Sequence, residues 1–176
     1  MNDQSHLSSR RNFLAAMSGG LLGLSGVLAA CSLETPPEEK ASAPAPGENP
    51  KIKEFERDFK EFAERFRLPD GSIHPRHLDG MDKNAALDVY FLARRFSFEP
   101  GLVRLERKTT YNFHFMSVDV GHSAWIQPGD FAPIPLIRYT PVVEPVTIYR
   151  PGKYRVTCNI YCGPGHDKMR ADLVVA

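Results

Sequence analysis

Cysteine is scarce in this chain, with three in 176 residues, at positions Cys31, Cys158 and Cys162. That excludes a disulfide-dense secreted scaffold. An excess of one charge is missing too, since 22 Lys and Arg face 21 Asp and Glu for a formal net of +1. Nothing here suggests a polycationic surface, and no nucleic-acid partner is expected. Tryptophan occurs once, as Trp125. Internal repeats are absent, which excludes solenoids and propellers. One long apolar run exists, Phe13 to Ala30, and it is at the short end for crossing a bilayer.

What surrounds that run reads as an export signal. Ser9-Arg10-Arg11-Asn12-Phe13-Leu14 has the form of a twin-arginine motif, and Leu28-Ala29-Ala30-Cys31 that of a lipoprotein cleavage site. Residues 1–30 are therefore expected to be removed, leaving Cys31 lipidated. The alternative is a retained single N-terminal transmembrane helix. Both place the remainder on the extracytoplasmic, periplasmic side of a membrane. Residues 31–50 are rich in Pro, Glu, Ala and Gly and read as a flexible, disordered tether.

Residues 51–87 comprise a helix and a loop. Ile52, Phe55, Phe59, Phe62 and Phe66 recur every three or four residues from Lys51 to Arg67, with charges between them. This amphipathic stripe is expected to pack on the chain's own domain. His74 and His77, in the following loop, lack a third ligand and are expected to be surface residues. From residue 88 to 176 the pattern is short strands with Pro and Gly punctuation. Strands are expected at 89–98, 102–105, 109–118, 123–127, 134–140, 146–149, 153–157 and 171–175. That spacing indicates an all-β antiparallel sandwich or barrel.

The chemistry is concentrated in one loop. Cys158-Asn159-Ile160-Tyr161-Cys162-Gly163-Pro164-Gly165-His166-Asp167-Lys168-Met169 spaces its donors as C-x3-C-x3-H-x2-M between two expected strands. Thiolate, thioether and imidazole favour copper over oxygen-loving metals. His122, upstream in Ser117 to Trp125, is a further imidazole. Such a set is too large for one ion and suits two coppers sharing both sulfurs. His122 and His166 would each serve one copper, with Met169 and the Ile160 backbone carbonyl as weak axial donors. A site without a free position for substrate suits one-electron transfer. His114 and Met116, on the expected strand 109–118, have no ligand-type neighbours in sequence and are expected to be structural.

The loop, the Ser117–Trp125 segment and the strand order resemble the CuA domain of cytochrome c oxidase subunit II. The form Tyr161-Cys162-Gly163-Pro164-Gly165-His166 most resembles subunit II of the bacterial b-type heme–copper oxidases. Nitrous oxide reductase carries a similar domain. This resemblance, over residues 88–176, implies a cupredoxin-like Greek-key β-sandwich with a binuclear CuA centre. Cys158 and Cys162 would bridge the coppers, His122 and His166 would be terminal, and Met169 and the Ile160 carbonyl would complete the set. Asp119 would belong to the surrounding shell, and Trp125, beside His122, could lie there or in the core. The implied donor is a cytochrome c or small copper protein. The implied acceptor is a heme–copper oxidase or another reductase, with the lipid anchor holding the chain at the membrane. Four features depart from the family pattern: a lipid and loose tether stand in place of one or two transmembrane helices, acidic docking patches for a cytochrome are hard to find, and two differences are of residue type. Ile160 stands where a polar residue is usual, and Tyr90, Phe91, Arg94, Arg95 and Phe96 replace a tryptophan-rich segment.

Two other functions use the same residues. A periplasmic copper-handling protein could deliver the metal to an oxidase during assembly, although it would need exchangeable, under-coordinated ligands. A thiol–disulfide protein could use Cys158 and Cys162, but their spacing is not C-x2-C and the two histidines and Met169 would be left without a role.

Overall fold

The computed structural model describes residues 49–176. The twin-arginine motif, Cys31 and nearly all of the tether lie outside the described residues. Among the described residues, a single α-helix, α1 (Pro50–Phe66), precedes nine strands. It starts where the sequence provides a cap. The Asn49 side chain accepts from the Lys51 N–H at 3.0 Å, and Pro50 occupies a first-turn position where its missing N–H costs nothing. It ends before Leu68-Pro69, because a residue preceding proline avoids the helical region. Among the described residues, no helix is long and apolar enough to cross a membrane.

The strands are β1 (Leu87–Arg94), β2 (Ser97–Glu99), β3 (Leu102–Leu105), β4 (Thr110–Ser117) and β5 (His122–Gln127). After them come β6 (Ile134–Leu136), β7 (Val142–Thr147), β8 (Gly152–Thr157) and β9 (Arg170–Val175). They form two layers, a four-stranded sheet in the order β2-β1-β4-β7 and a five-stranded sheet in the order β3-β9-β8-β5-β6. Alternation builds the core between them. Tyr111, Phe113 and Phe115 of β4 face inward, and the last two meet Phe91, with the Phe91 and Phe115 rings stacked at 5.3 Å. From the other layer come Ile126, Val156, Ala171 and Leu173, all essentially without solvent contact.

The sandwich is mixed rather than antiparallel. β1 pairs parallel with β4, and β3 with β9. Glu99-Pro100-Gly101 carries the chain from β2 in one layer to β3 in the other. The chain then returns to the first sheet running the same way as β1, so a hairpin pattern read strand by strand misses the crossover. Two expected strands also shift, from 134–140 to Ile134–Leu136 and from 146–149 to Val142–Thr147. Both contain proline, Pro135 and Pro145, and both are edge strands, where a missing N–H costs no ladder bond.

The apolar stripe of α1 is buried on the sandwich. Ile52 and Phe55 pack with Leu92, Met116 and Val118, while Phe62 and Phe66 join the main core. The helix thus runs antiparallel to β1 and begins at the end of the sandwich where β1 and β4 finish.

Candidate metal centre

That end also collects the donors. His122 opens β5, the cysteine loop leaves β8 at Thr157, and Met169 immediately precedes β9. All the side-chain donors therefore hang from the five-stranded sheet. The loop is closed on itself by backbone hydrogen bonds, Cys158 N–H to the Met169 carbonyl at 3.2 Å and His166 N–H to the Gly163 carbonyl at 3.1 Å. A 3-10 turn, His166–Lys168, then sets His166 and Met169 on the same side.

The two sulfurs stand 3.9 Å apart as free thiols. Each heads its own group. Cys158 Sγ lies 3.9 Å from His122 Nδ1 and 3.3 Å from the Ile160 carbonyl oxygen. Cys162 Sγ lies 3.6 Å from His166 Nδ1 and 3.9 Å from Met169 Sδ. The donor atoms of His122, Cys158 and Cys162 all fall within 4.8 Å of one another. His122, Cys158 and Met169 are buried, whereas Cys162 and His166 are half-buried. Burial, with the neighbouring Cys158 adding repulsion, pushes the Cys162 thiol up to about 11. Without a cation, two thiolates this close repel each other; a thiophilic metal removes that penalty. The donor set thus fits copper.

A ring of supports holds the donors. Asp119 Oδ1 lies 2.9 Å from His122 Nε2, which leaves Nδ1 directed at the sulfur. Burial opposes ionisation of Asp119, but hydrogen bonds from the Arg95 and Val120 N–H groups and from His122 outweigh it, holding the carboxyl below its usual range. Trp125 donates its indole N–H to the Phe131 carbonyl at 2.9 Å, in the hydrogen-bonding framework rather than on a donor.

Two supports are invisible in the loop motif. Ser123 is buried, accepts from the Asn159 N–H at 2.8 Å, hydrogen-bonds the Asn159 side chain and sits 3.9 Å from Cys158 Sγ. Phe96 lies under the loop. A Cβ on Gly165 would come 2.5 Å from its ring and one on Gly163 3.1 Å, and both glycines have positive φ. The turn after β1 therefore touches both halves of the site, Arg95 through Asp119 and Phe96 through the glycines.

The other histidines among the described residues lie elsewhere. His114 stacks on Tyr90 at 4.4 Å and bonds Asp88 at 2.8 Å, and Met116 is packed beneath α1. His77 bonds the Ala85 carbonyl at 2.9 Å, while His74 sits 4.0 Å from Glu106, with burial lowering its pKa.

Two layers of strands with a sulfur–imidazole cluster in the loops at one end define a cupredoxin-like domain. A rusticyanin variant shares the fold, with a TM-score of 0.54 at 14% identity, over 71% of this chain and 94% of that one. In sequence, the chain is similar to cytochrome c oxidase subunit 2 of Thermus thermophilus, at 32% identity over 96 residues, 49% of this chain and 64% of the relative. A second subunit 2, from a named strain of the same organism, gives the same identity over 51% of its length. The chain thus spans about half to two thirds of these relatives. No protein-family model matches it.

Proposed function

We propose that this chain is a copper-based electron-transfer domain of the subunit II type, holding two copper ions between Cys158 and Cys162. The observation that carries the reading is the split of the donors into two groups, each headed by one of two sulfurs 3.9 Å apart. Cys158 with His122 and the Ile160 carbonyl would hold one ion, Cys162 with His166 and Met169 the other. When bound, such a pair supplies reversible one-electron exchange shared over both metals. The residues keep the donors fixed: Asp119 orients His122, and the closed loop prevents the sulfurs from separating. Similarity to oxidase subunit 2 supports a cytochrome c or small copper protein as donor and a heme–copper oxidase as acceptor. Lipid attachment at Cys31 would keep the domain at the outer face of the membrane.

Copper-loaded protein should contain two copper ions per chain and give a mixed-valence electron paramagnetic resonance signal split by two equivalent nuclei. Cys162→Ser should abolish that signal, and His114→Ala should leave it intact. A four-line spectrum with one copper per chain would sink the binuclear reading.

A further inference from the structure

The end of the sandwich that carries the donors is open and apolar at its centre. Tyr161 is 79% exposed and Ile160 45% exposed, both in the donor loop. The Tyr161 ring stands edge-on to His166, with centroids 6.0 Å apart. Ile137, 66% exposed, follows Leu136, the sheet partner of His122. Exposed apolar groups collected in one place mark a contact surface.

The charges around them are mostly of one sign. Arg95, whose N–H holds Asp119, is exposed. So is Arg138, bridged to Ser117 and stacked over the Tyr139 ring at 4.2 Å. Lys168, between His166 and Met169, is exposed as well, with Asp167 beside it as the opposing charge. Among the described residues none of these four forms an ion pair. Arg94 is different, flanked by Glu99 at 3.5 Å and Glu56 at 3.9 Å. Asp119 is turned into the site by its three hydrogen bonds. At the start of α1, exposed Lys51 and Lys53 are balanced by Glu54 and Glu56.

We propose that this end is the docking face for an acidic redox protein, one that presents an apolar contact ringed by carboxylates. The inference rests on the relay reading above and specifies the polarity of its partner: the cationic rim selects against a strongly basic cytochrome. Anionic lipid would satisfy the same charges. It would also press Tyr161 and Ile160 into headgroups and close the shortest route from the donors to a soluble protein.

Copper-loaded protein, with its metal content measured first, is mixed by stopped flow with two reduced probes, an acidic plastocyanin-type copper protein and a basic c-type cytochrome. Raising salt from about 10 mM to about 0.5 M should slow the acidic probe roughly tenfold and leave the basic probe unchanged or faster. Lys168→Glu and Arg138→Glu should each slow the acidic probe about threefold at low salt, whereas Arg150→Glu, at the other end of the sandwich, should not. Copper-free protein gives a second readout, because the acidic probe should shift the amide signals of residues 160–168. A reversed salt trend, equal damage from Arg150→Glu, shifts centred elsewhere, or tight binding to phosphatidylglycerol vesicles that Lys168→Glu abolishes would each overturn the proposal. A metal content of one ion per chain would instead overturn the relay reading, and the signal shifts would still decide the docking face.

Discussion

Ser123 shows how a single residue can matter to the site without offering it a donor. Its hydroxyl accepts from the Asn159 N–H and lies beside Cys158 Sγ, joining the start of β5 to the loop that leaves β8. Ser123→Ala would leave that part-buried N–H without a partner, at a cost of about 1–3 kcal/mol. Urea unfolding of the copper-free variant should show the loss, and Ser123→Thr should recover part of it. Copper should also leave Ser123→Ala faster on dialysis, since the Asn159 end of the loop is released. The donors themselves were legible in sequence because five of the six sit within one twelve-residue loop. Ser123 was not, since its partner is 36 positions away. Phe96 was hidden likewise, because only the fold brings the turn after β1 beneath Gly163 and Gly165.

Among the elements, α1 was the easiest to read, since one face carries aromatic residues at helical spacing. Its partner was harder to see. The helix covers the outer face of β1 and β4, where Leu92 and Met116 would otherwise meet water. Phe55, edge-on to Tyr90 at 5.5 Å, is the centre of that contact. Phe55→Ala should destabilise the protein by about 3–5 kcal/mol, read as a lower denaturation midpoint, with copper content unchanged in the folded fraction. Equal stability would mean that the helix is dispensable to the sandwich. The strands were less legible where proline intervened. Pro135 and Pro145 pushed the expected strands off their true positions, since sequence does not reveal which strands lie at an edge.

For the whole molecule, stability should depend on pH at both extremes, from groups far from the metal centre. Asp70 accepts from the Ser72 hydroxyl and from Arg104, and its pKa is held at about 2. A carboxyl with a lowered folded pKa stabilises at neutral pH, and that contribution is lost as pH falls from about 4 through about 2. Tyr111 behaves in the opposite sense. Burial pushes its phenol up to about 12, so its contribution is intact below pH 10 and lost as pH rises towards 12. Unfolding free energy measured across pH should fall on both sides. Asp70→Asn should flatten the acid limb and Tyr111→Phe the alkaline one. The layered architecture was legible as short strands with turn residues between them. The parallel pairings were not, because they follow from which layer each strand joins, and that is decided by long-range packing.

The donors are suspended from the five-stranded layer, yet Asp119, Arg95 and Phe96 reach them from the ends of β4 and β1 in the other. Any slippage of one layer over the other would be registered first where these supports touch the loop. The tint of the bound metal would therefore serve as a built-in gauge of how well the halves of the sandwich mesh, fading or changing hue before the strands themselves come apart.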